Sequence, residues 1–190
     1  MKTPAVPPFR YNFRAPGTPA ESTIRYAVGD TRLSLLLVGR SQRGICAIFL
    51  GDEVQALQVQ LAAAFPHSEL QADQAALQRE FDQIASFIDR GQSKDMIDLD
   101  IGGSAFEQQV WRALCAIPAG ETRSYGGVAA ALGMTTAVRA VARACAANVL
   151  ALAIPCHRVV RGDGSLAGYR WGVQRKHALL AVESARERAA

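Results

Sequence analysis

Short apolar runs rich in β-formers occupy the first third of the chain, and apolar residues at helical spacing follow them. Three such runs, separated by glycine-containing turns, predict a small antiparallel meander over residues 24–28, 33–38 and 45–50. Two helices are predicted next, over residues 54–65 and 72–88, because Pro66 ends the first and Gly91 the second. The second helix places four apolar residues on one face: Leu77, Phe81, Ile84 and Ile88.

The second half of the chain is predicted to be helical. Residues 104–107 form a capping box ahead of a helix that Pro118 ends. Ser124 then caps a short helix, Gly133 turns the chain, and a third helix is predicted to begin at Thr135 or Thr136. Helix, glycine turn and helix make a helix-turn-helix pattern, although many helical hairpins of this kind bind nothing.

The third helix has a face suited to a polyanion. Thr135, Arg139 and Arg143 follow one another at steps of four residues, beside the small residue Ala140. Two arginines on such a face can contact phosphates, and one could enter a base stack as a wedge. The alternative is an ordinary amphipathic helix with solvated arginines.

Charge is distributed unevenly between the two halves. Residues 1–100 contain 10 Lys and Arg against 12 Asp and Glu, whereas residues 101–190 contain 11 against 5, so a net charge of −2 precedes one of +6. A basic half of this kind suits nucleic acid, although a charge excess can also serve solubility alone.

Composition predicts a globular protein in three parts. Five prolines within the first 19 residues predict a flexible arm over residues 1–20, followed by an α/β domain over 21–100 and a second domain over 101–190. The four cysteines have neither disulfide nor zinc-ligand spacing, so no metal or cofactor is expected. No signal-peptide pattern or apolar run of membrane-span length occurs, and we expect a cytoplasmic protein without a membrane partner.

Residues 154–160 (IPCHRVV) place a thiol beside an imidazole and a guanidinium. A cysteine nucleophile needs a base or a positive charge to form its thiolate, and His157 and Arg158 offer both to Cys156. Glu183 lies on the apolar face of the predicted last helix, where a carboxylate needs a partner. Cys156, His157 and Glu183 thus predict a nucleophile, a base and an orienting acid, although a buried structural cysteine beside a surface histidine remains an alternative.

The chain resembles the O6-alkylguanine-DNA alkyltransferases over roughly residues 22–185. The matching positions, in order and spacing, are residues 124–125, 139–141, Asn148, the IPCHRVV heptad, residues 168–169 and Glu183. The resemblance implies a mixed α/β (α+β) fold, with a ribonuclease H-like antiparallel sheet and helices followed by a winged-helix-like helix-turn-helix domain. It also implies irreversible, stoichiometric transfer of an alkyl group, mainly methyl, from O6-alkylguanine in duplex DNA to Cys156, and transfer from O4-methylthymine as well.

The resemblance also implies a role for each site residue. His157 would take the thiol proton through a water, Glu183 would hold its tautomer, and Tyr125 would donate to the departing guanine. Asn148 would brace the turn before the cysteine. The substrate would be bound by residues on two further segments: Val159, Val160, Tyr169, Arg170 and Trp171.

For the DNA, the resemblance implies a minor-groove approach with little sequence specificity. Arg139 would fill the space of the flipped base, and the surrounding contacts would come from Thr135, Thr136, Ala140 and Arg143. The protein would act as a monomer. Trp171 stands where relatives that accept bulky adducts have glycine, so we expect it to narrow the pocket and to favour methyl over benzyl.

Two other functions remain open on the sequence. A lesion-binding module could recognise damaged DNA without chemistry and recruit other repair factors, but alkyltransferase-like binding proteins lack the acceptor cysteine that this chain keeps as Cys156. A thiol hydrolase could use Cys156 and His157, but it would leave the basic helix unexplained.

Overall fold

The computed structural model describes residues 8–90, 95–166 and 168–189. The chain forms two compact units that divide between Gly103 and Ser104. Among the described residues, none of the helices combines the length and the apolar character that crossing a membrane requires.

The N-terminal unit is built on a six-stranded mixed sheet in the order β1-β6-β4-β3-β2-β5. Its strands are β1 (Phe9–Phe13), β2 (Thr23–Asp30), β3 (Leu35–Ser41), β4 (Gly44–Gly51), β5 (Glu69–Ala72) and β6 (Ile97–Ile101). The antiparallel pairing of β2 with β3 and of β3 with β4 confirms the predicted meander. The other strands extend it by parallel pairing, which the sequence did not indicate.

The prediction of a flexible arm is wrong over Phe9–Phe13, which pair in parallel with β6. Phe9 is buried and meets Phe87 edge-on, with 5.6 Å between the ring centroids. The five prolines occupy positions 4, 7, 8, 16 and 19, so they flank this strand and leave its backbone donors intact. Residues 1–7 of the predicted arm lie outside the described residues.

A buried ion pair holds the end of this added strand. Asp100 on β6 lies 3.1 Å from Nε of Arg14 and accepts a 2.7 Å hydrogen bond from the hydroxyl of Ser41. Its burial is tolerated because both carboxylate oxygens are satisfied. At Gly102, a Cβ would lie 2.4 Å from the Arg14 guanidinium, so glycine leaves the arginine its space.

Two helices of this unit confirm the helical periodicity of the sequence. Helix α1 (Val54–Ala64) buries Leu57 and Leu61, and helix α2 (Gln74–Arg90) buries the four predicted apolar residues. Both therefore use one apolar stripe to cover the sheet.

The C-terminal unit contains the remaining four helices of the described residues. These are α3 (Ala105–Cys115), α4 (Tyr125–Ala131), α5 (Val138–Ala147) and α6 (Val173–Ala189). The capping box at Ser104 and Glu107 forms as predicted, and the Ser124 hydroxyl caps α4 by accepting from the Gly127 amide at 2.9 Å. The Trp111 indole on α3 donates to the Ala144 carbonyl at 2.9 Å, which fixes α3 against α5.

The third helix of the predicted helix-turn-helix begins later than expected. Gly133 has φ +71 and ends α4, with Met134 N donating to the Ala129 carbonyl at 2.9 Å. Ala137 N then donates to the Met134 carbonyl at 2.8 Å, which closes a further turn before α5. Thr135 and Thr136 therefore lie in the turn, and Thr135 does not share the helical face of Arg139.

Candidate active site

A short parallel pairing places the start of α4 beside the cysteine segment. Strand β7 (Arg123–Ser124) pairs with β8 (Val159–Val160), and β8 directly follows a 3₁₀ turn formed by Cys156–Arg158. Because Tyr125 continues from β7 and Cys156 lies just before β8, the pairing brings both residues to one site.

Asn148 organises the loop that precedes the cysteine. Its side chain is fully buried, and Nδ2 donates to the Ile154 carbonyl at 2.9 Å and to Sγ of Cys156 at 3.2 Å. Its Oδ1 accepts from the Leu150 amide at 2.8 Å. The loop includes Leu152 at φ 68, a left-handed conformation that costs a non-glycine residue about 1 kcal/mol or more, so the surrounding bonds must hold it.

The Cys156 thiol is buried, with 4% of the residue exposed. Burial raises its pKa to about 11, while the Asn148 hydrogen bond and the charges of Lys176 and Arg170 act in the opposite direction. The resting thiol is therefore protonated at neutral pH, and a nearby base must take its proton before it can act as a nucleophile.

The nearby base is His157, whose hydrogen-bond partner is Glu183. His157 Nε2 lies 2.9 Å from Oε1 of Glu183, and among the described residues the buried Nδ1 has no hydrogen-bond partner. Burial lowers the pKa of His157 despite the carboxylate, so the imidazole is neutral at pH 7. A neutral imidazole whose Nε2–H faces the carboxylate keeps Nδ1 available to accept a proton.

Glu183 is shared with Arg158, which sequence reasoning had assigned to the thiol. Arg158 donates to Glu183 from Nε at 3.0 Å and from Nη2 at 2.8 Å, and its Nη1 donates to the Ile117 carbonyl at 2.6 Å. Burial raises the pKa of Glu183, but the bonds from His157 and Arg158 outweigh burial and bring the pKa to about 2. The acid therefore remains ionised and orients the imidazole.

Lys176 is a site residue that the sequence analysis missed. It is 0% exposed, its Nζ donates to the Val159 carbonyl, and its charge favours the Cys156 thiolate. The available signal was its position seven residues before Glu183, on the same face of α6. It fixes the backbone of β8 and supplies a cation near the thiol.

A cavity of about 270 Å³ opens onto the cysteine. It is lined by Tyr125, Ala142, Cys145, Ala146, Cys156, Gly168, Tyr169 and Arg170. Burial raises the pKa of Tyr125 to about 12, and the buried Tyr169 hydroxyl has no hydrogen-bond partner among the described residues. Both phenols therefore remain protonated and can donate.

Among the described residues, Trp171 is not part of the cavity lining, so it can affect the width of the pocket only through the lining residue Tyr169. It is 3% exposed and packs edge-on against Tyr169, with ring centroids 5.1 Å apart. Trp171 thus supports the back of Tyr169, while the neighbouring Arg170 faces the cavity. Which side chains of this loop face the cavity could not be predicted from its composition.

The basic face of α5 is exposed. Arg139 and Arg143 are both exposed, Ala140 between them is half-buried, and Thr135 and Thr136 are exposed in the preceding turn. Val141 and Cys145 turn the opposite side of α5 into the unit. The two arginines of this face are therefore accessible to a partner.

Comparisons with known proteins show which family this chain resembles. Residues 105–185 match the family model of the 6-O-methylguanine DNA methyltransferase DNA-binding domain. The regulatory protein Ada of Salmonella typhimurium is 51% identical over 87% of this chain and 47% of its own length. The methylated-DNA–protein-cysteine methyltransferase of Mycobacterium bovis is 42% identical over 60% of this chain and 69% of its own length.

Two solved structures are also similar to this chain. The O6-methylguanine methyltransferase of Mycobacterium tuberculosis has a TM-score of 0.71 and 31% identity over 86% of this chain and 94% of its own. The same organism's protein in complex with DNA also has a TM-score of 0.71. The chain belongs to the methylated-DNA–protein-cysteine methyltransferase family. It spans about half the length of the Ada proteins it matches.

The raised pKa of Cys156 predicts how the resting thiol behaves toward a small electrophile. Alkylation of Cys156 by iodoacetamide is expected to be slow at pH 7 and to accelerate about tenfold for each pH unit up to pH 10, because only the thiolate reacts. Peptide mapping after timed quenching measures this rate separately for each cysteine. A plateau near pH 8 would contradict the assigned pKa.

Proposed function

We propose that this protein repairs DNA by irreversible, stoichiometric transfer of an alkyl group, mainly methyl, to Cys156. The substrate is O6-alkylguanine in duplex DNA, together with O4-methylthymine, after the damaged base has been flipped out. One observation carries the proposal: a buried thiol faces a base-sized cavity beside a His157–Glu183 pair.

The chemistry is a single displacement. Among the described residues, the hydrogen bond to Sγ comes from Asn148 and not from His157. His157 Nδ1 therefore takes the thiol proton through a bridging water. The Sγ atom then forms a bond to the alkyl carbon, the bond between that carbon and O6 breaks, and its electron pair stays with guanine. Tyr125 donates a proton to the guanine and is then reprotonated by His157. The proton that left the thiol thus replaces the one that Tyr125 gave to the guanine.

The cavity supplies the contacts that hold the base. The free hydroxyl of Tyr169 can donate to the O6 side. Val159 and Val160 are not in the cavity lining, but they follow the Cys156 turn on β8, and their backbone is proposed to contact the guanine edge. Lys176 holds the Val159 carbonyl in place. The thioether product has no route back to a thiol, so each molecule acts once.

The exposed face of α5 is proposed to bind the minor groove. That groove carries little sequence information, which suits a protein that searches for lesions, and flipping a weakly paired base costs only a few kcal/mol. Arg139 fills the space of the flipped base, while Arg143, Thr135, Thr136 and Ala140 contact the surrounding backbone. The exposure of these side chains supports the proposal.

Replacing Arg139 with alanine separates flipping from chemistry. Transfer from duplex DNA should fall by about tenfold or more, because an unflipped lesion cannot reach Cys156, while the slow reaction with the free modified base should be unchanged. Rates on both substrates, with Arg112→Ala on the outer face of α3 as a matched control, measure the difference. Equal losses on both substrates would refute the wedge.

The second candidate function is a lesion-binding module without chemistry. The two are distinguished by titrating a fixed amount of duplex containing O6-methylguanine with protein and counting the lesions that remain. Transfer predicts loss of one lesion per protein molecule and then no further loss with time. Lesion-selective binding with every lesion intact would favour the module.

The fold class of each unit, the oligomeric state and the cellular location are proposals as well. We infer a ribonuclease H-like class for the N-terminal unit and a winged-helix-like class for the C-terminal unit. The mixed sheet around the β2–β4 meander supports the first, and the α4–turn–α5 pair beside β7 and β8 supports the second. We further propose that the protein acts as a monomer in the cytoplasm, where free thiols persist.

A further inference from the structure

Arg170 is the one long, flexible side chain among the described residues that line the alkyl-acceptor cavity. Besides it, the described lining contains two alanines, one glycine, two cysteines and two tyrosines. The small residues cannot retract, whereas Arg170 is exposed and its side chain has solvent to move into. Movement of Arg170 is therefore the readiest source of extra volume for a larger alkyl group.

The side chain of Arg170 is anchored across the cavity wall. Its Nη1 donates at 3.2 Å to the Ala146 carbonyl, at the end of α5. Ala146 also lines the cavity, so this bond joins the loop after Gly168 to the helix on the other side of the lining. With about 270 Å³, the cavity lies just below the roughly 300–1,000 Å³ of pockets for drug-sized ligands.

We infer that Arg170 is the specificity-determining residue of this site, and that it restricts the alkyl group to methyl or another small group by closing the cavity wall against Ala146. This inference rests on the proposed function and names the substrate class of the same cavity. A benzyl group would have to displace the guanidinium from the Ala146 carbonyl and break that hydrogen bond. It also assigns to Arg170 the selection that the sequence had suggested for Trp171.

Replacing Arg170 would have a second effect, on charge, which can be measured separately from the effect on cavity size. Its positive charge favours the Cys156 thiolate, so its removal should slow the reaction with every substrate by a similar factor. Loss of the contact between Arg170 and Ala146 should accelerate only the transfer of the bulky benzyl group. The ratio of benzyl to methyl transfer therefore isolates the selective role from the electrostatic one and from a general loss of structure.

The experiment compares transfer from two duplexes of identical sequence, one with O6-methylguanine and one with O6-benzylguanine. Arg170→Ala is expected to raise the benzyl-to-methyl rate ratio by about tenfold or more, and Arg170→Met, which keeps an unbranched stem but cannot donate to Ala146, by a smaller factor. Arg112→Ala, an exposed arginine on α3, is the matched control and should leave the ratio unchanged. If Arg170→Ala does not fold, Arg170→Met carries the test.

An unchanged ratio in the folded Arg170 variants would overturn the inference, and an increase in Trp171→Ala alone would return the role to Trp171. Failure of the proposed function looks different. In that case the wild-type protein would accept no methyl group from the first duplex, and no ratio could be formed.

Discussion

Replacing Glu183 with glutamine is expected to lower the free energy of unfolding by about 3 kcal/mol, because it leaves the buried Arg158 without its counter-ion. It should also slow methyl transfer by about 10²- to 10⁴-fold, since the imidazole loses the carboxylate that stabilises its protonated form. Chemical denaturation and single-turnover kinetics measure the two effects. Glu121→Gln, an exposed glutamate in the C-terminal unit, is the matched control.

The stability effect of Glu183 has a defined pH dependence. Its pKa is about 2 in the folded protein and 4.5 without the fold, a difference that corresponds to about 3 kcal/mol. Because the folded pKa is depressed, this contribution is present above pH 4.5 and disappears as the pH falls toward 2. The difference between wild type and Glu183→Gln should shrink over that window, and a difference that is constant down to pH 2 would contradict the assignment.

Replacing Asn148 with alanine is expected to lower the free energy of unfolding by about 2–3 kcal/mol. The change leaves the buried Leu150 amide without its acceptor, which costs about 1–3 kcal/mol, and it removes one of the two donors to the Ile154 carbonyl, which keeps its bond from the Cys156 amide. The loop also has to hold Leu152 in its left-handed conformation. Thermal and denaturant unfolding measure the loss, and transfer should fall with it because Sγ loses its donor.

Asn148→Asp separates the bracing role from the electrostatic one. A carboxylate can still accept from Leu150 but cannot donate to Cys156, and its negative charge disfavours the thiolate. Transfer should therefore be slower in Asn148→Asp than in Asn148→Ala, whereas the exposed Asn12→Ala should leave it unchanged. Faster transfer in Asn148→Asp would show that Asn148 does not act on the thiol.

The local elements of the fold could be predicted because their signals lie within a few residues. The capping box at Ser104, the cap at Ser124 and the buried face of α2 each depend on neighbours in sequence. The apolar and polar alternation of β6 is a strand signal, but the pairing of β1 with β6 could not be predicted, because it joins segments 88 residues apart. The burial of Asp100 could not be predicted either, because its ion pair with Arg14 depends on that pairing.

The site was predictable where chemistry limits the residue type. A thiol beside an imidazole, and a carboxylate on an apolar helical face, identified Cys156, His157 and Glu183, and the structure brings the last two within 2.9 Å. Lys176 was missed because a lysine in a helix is usually solvated. Arg170 and Trp171 were both expected to bind the substrate. Which of the two lines the cavity depends on backbone angles in a loop, which neither periodicity nor composition specifies.

Intact mass with peptide mapping, after incubation with duplex DNA containing one O6-methylguanine, shows whether Cys156 accepts the methyl group. One methyl increment is expected on the peptide that contains Cys156, with none in the Cys156→Ala variant. A methyl increment on another cysteine, or tight lesion-selective binding with no increment, would contradict it.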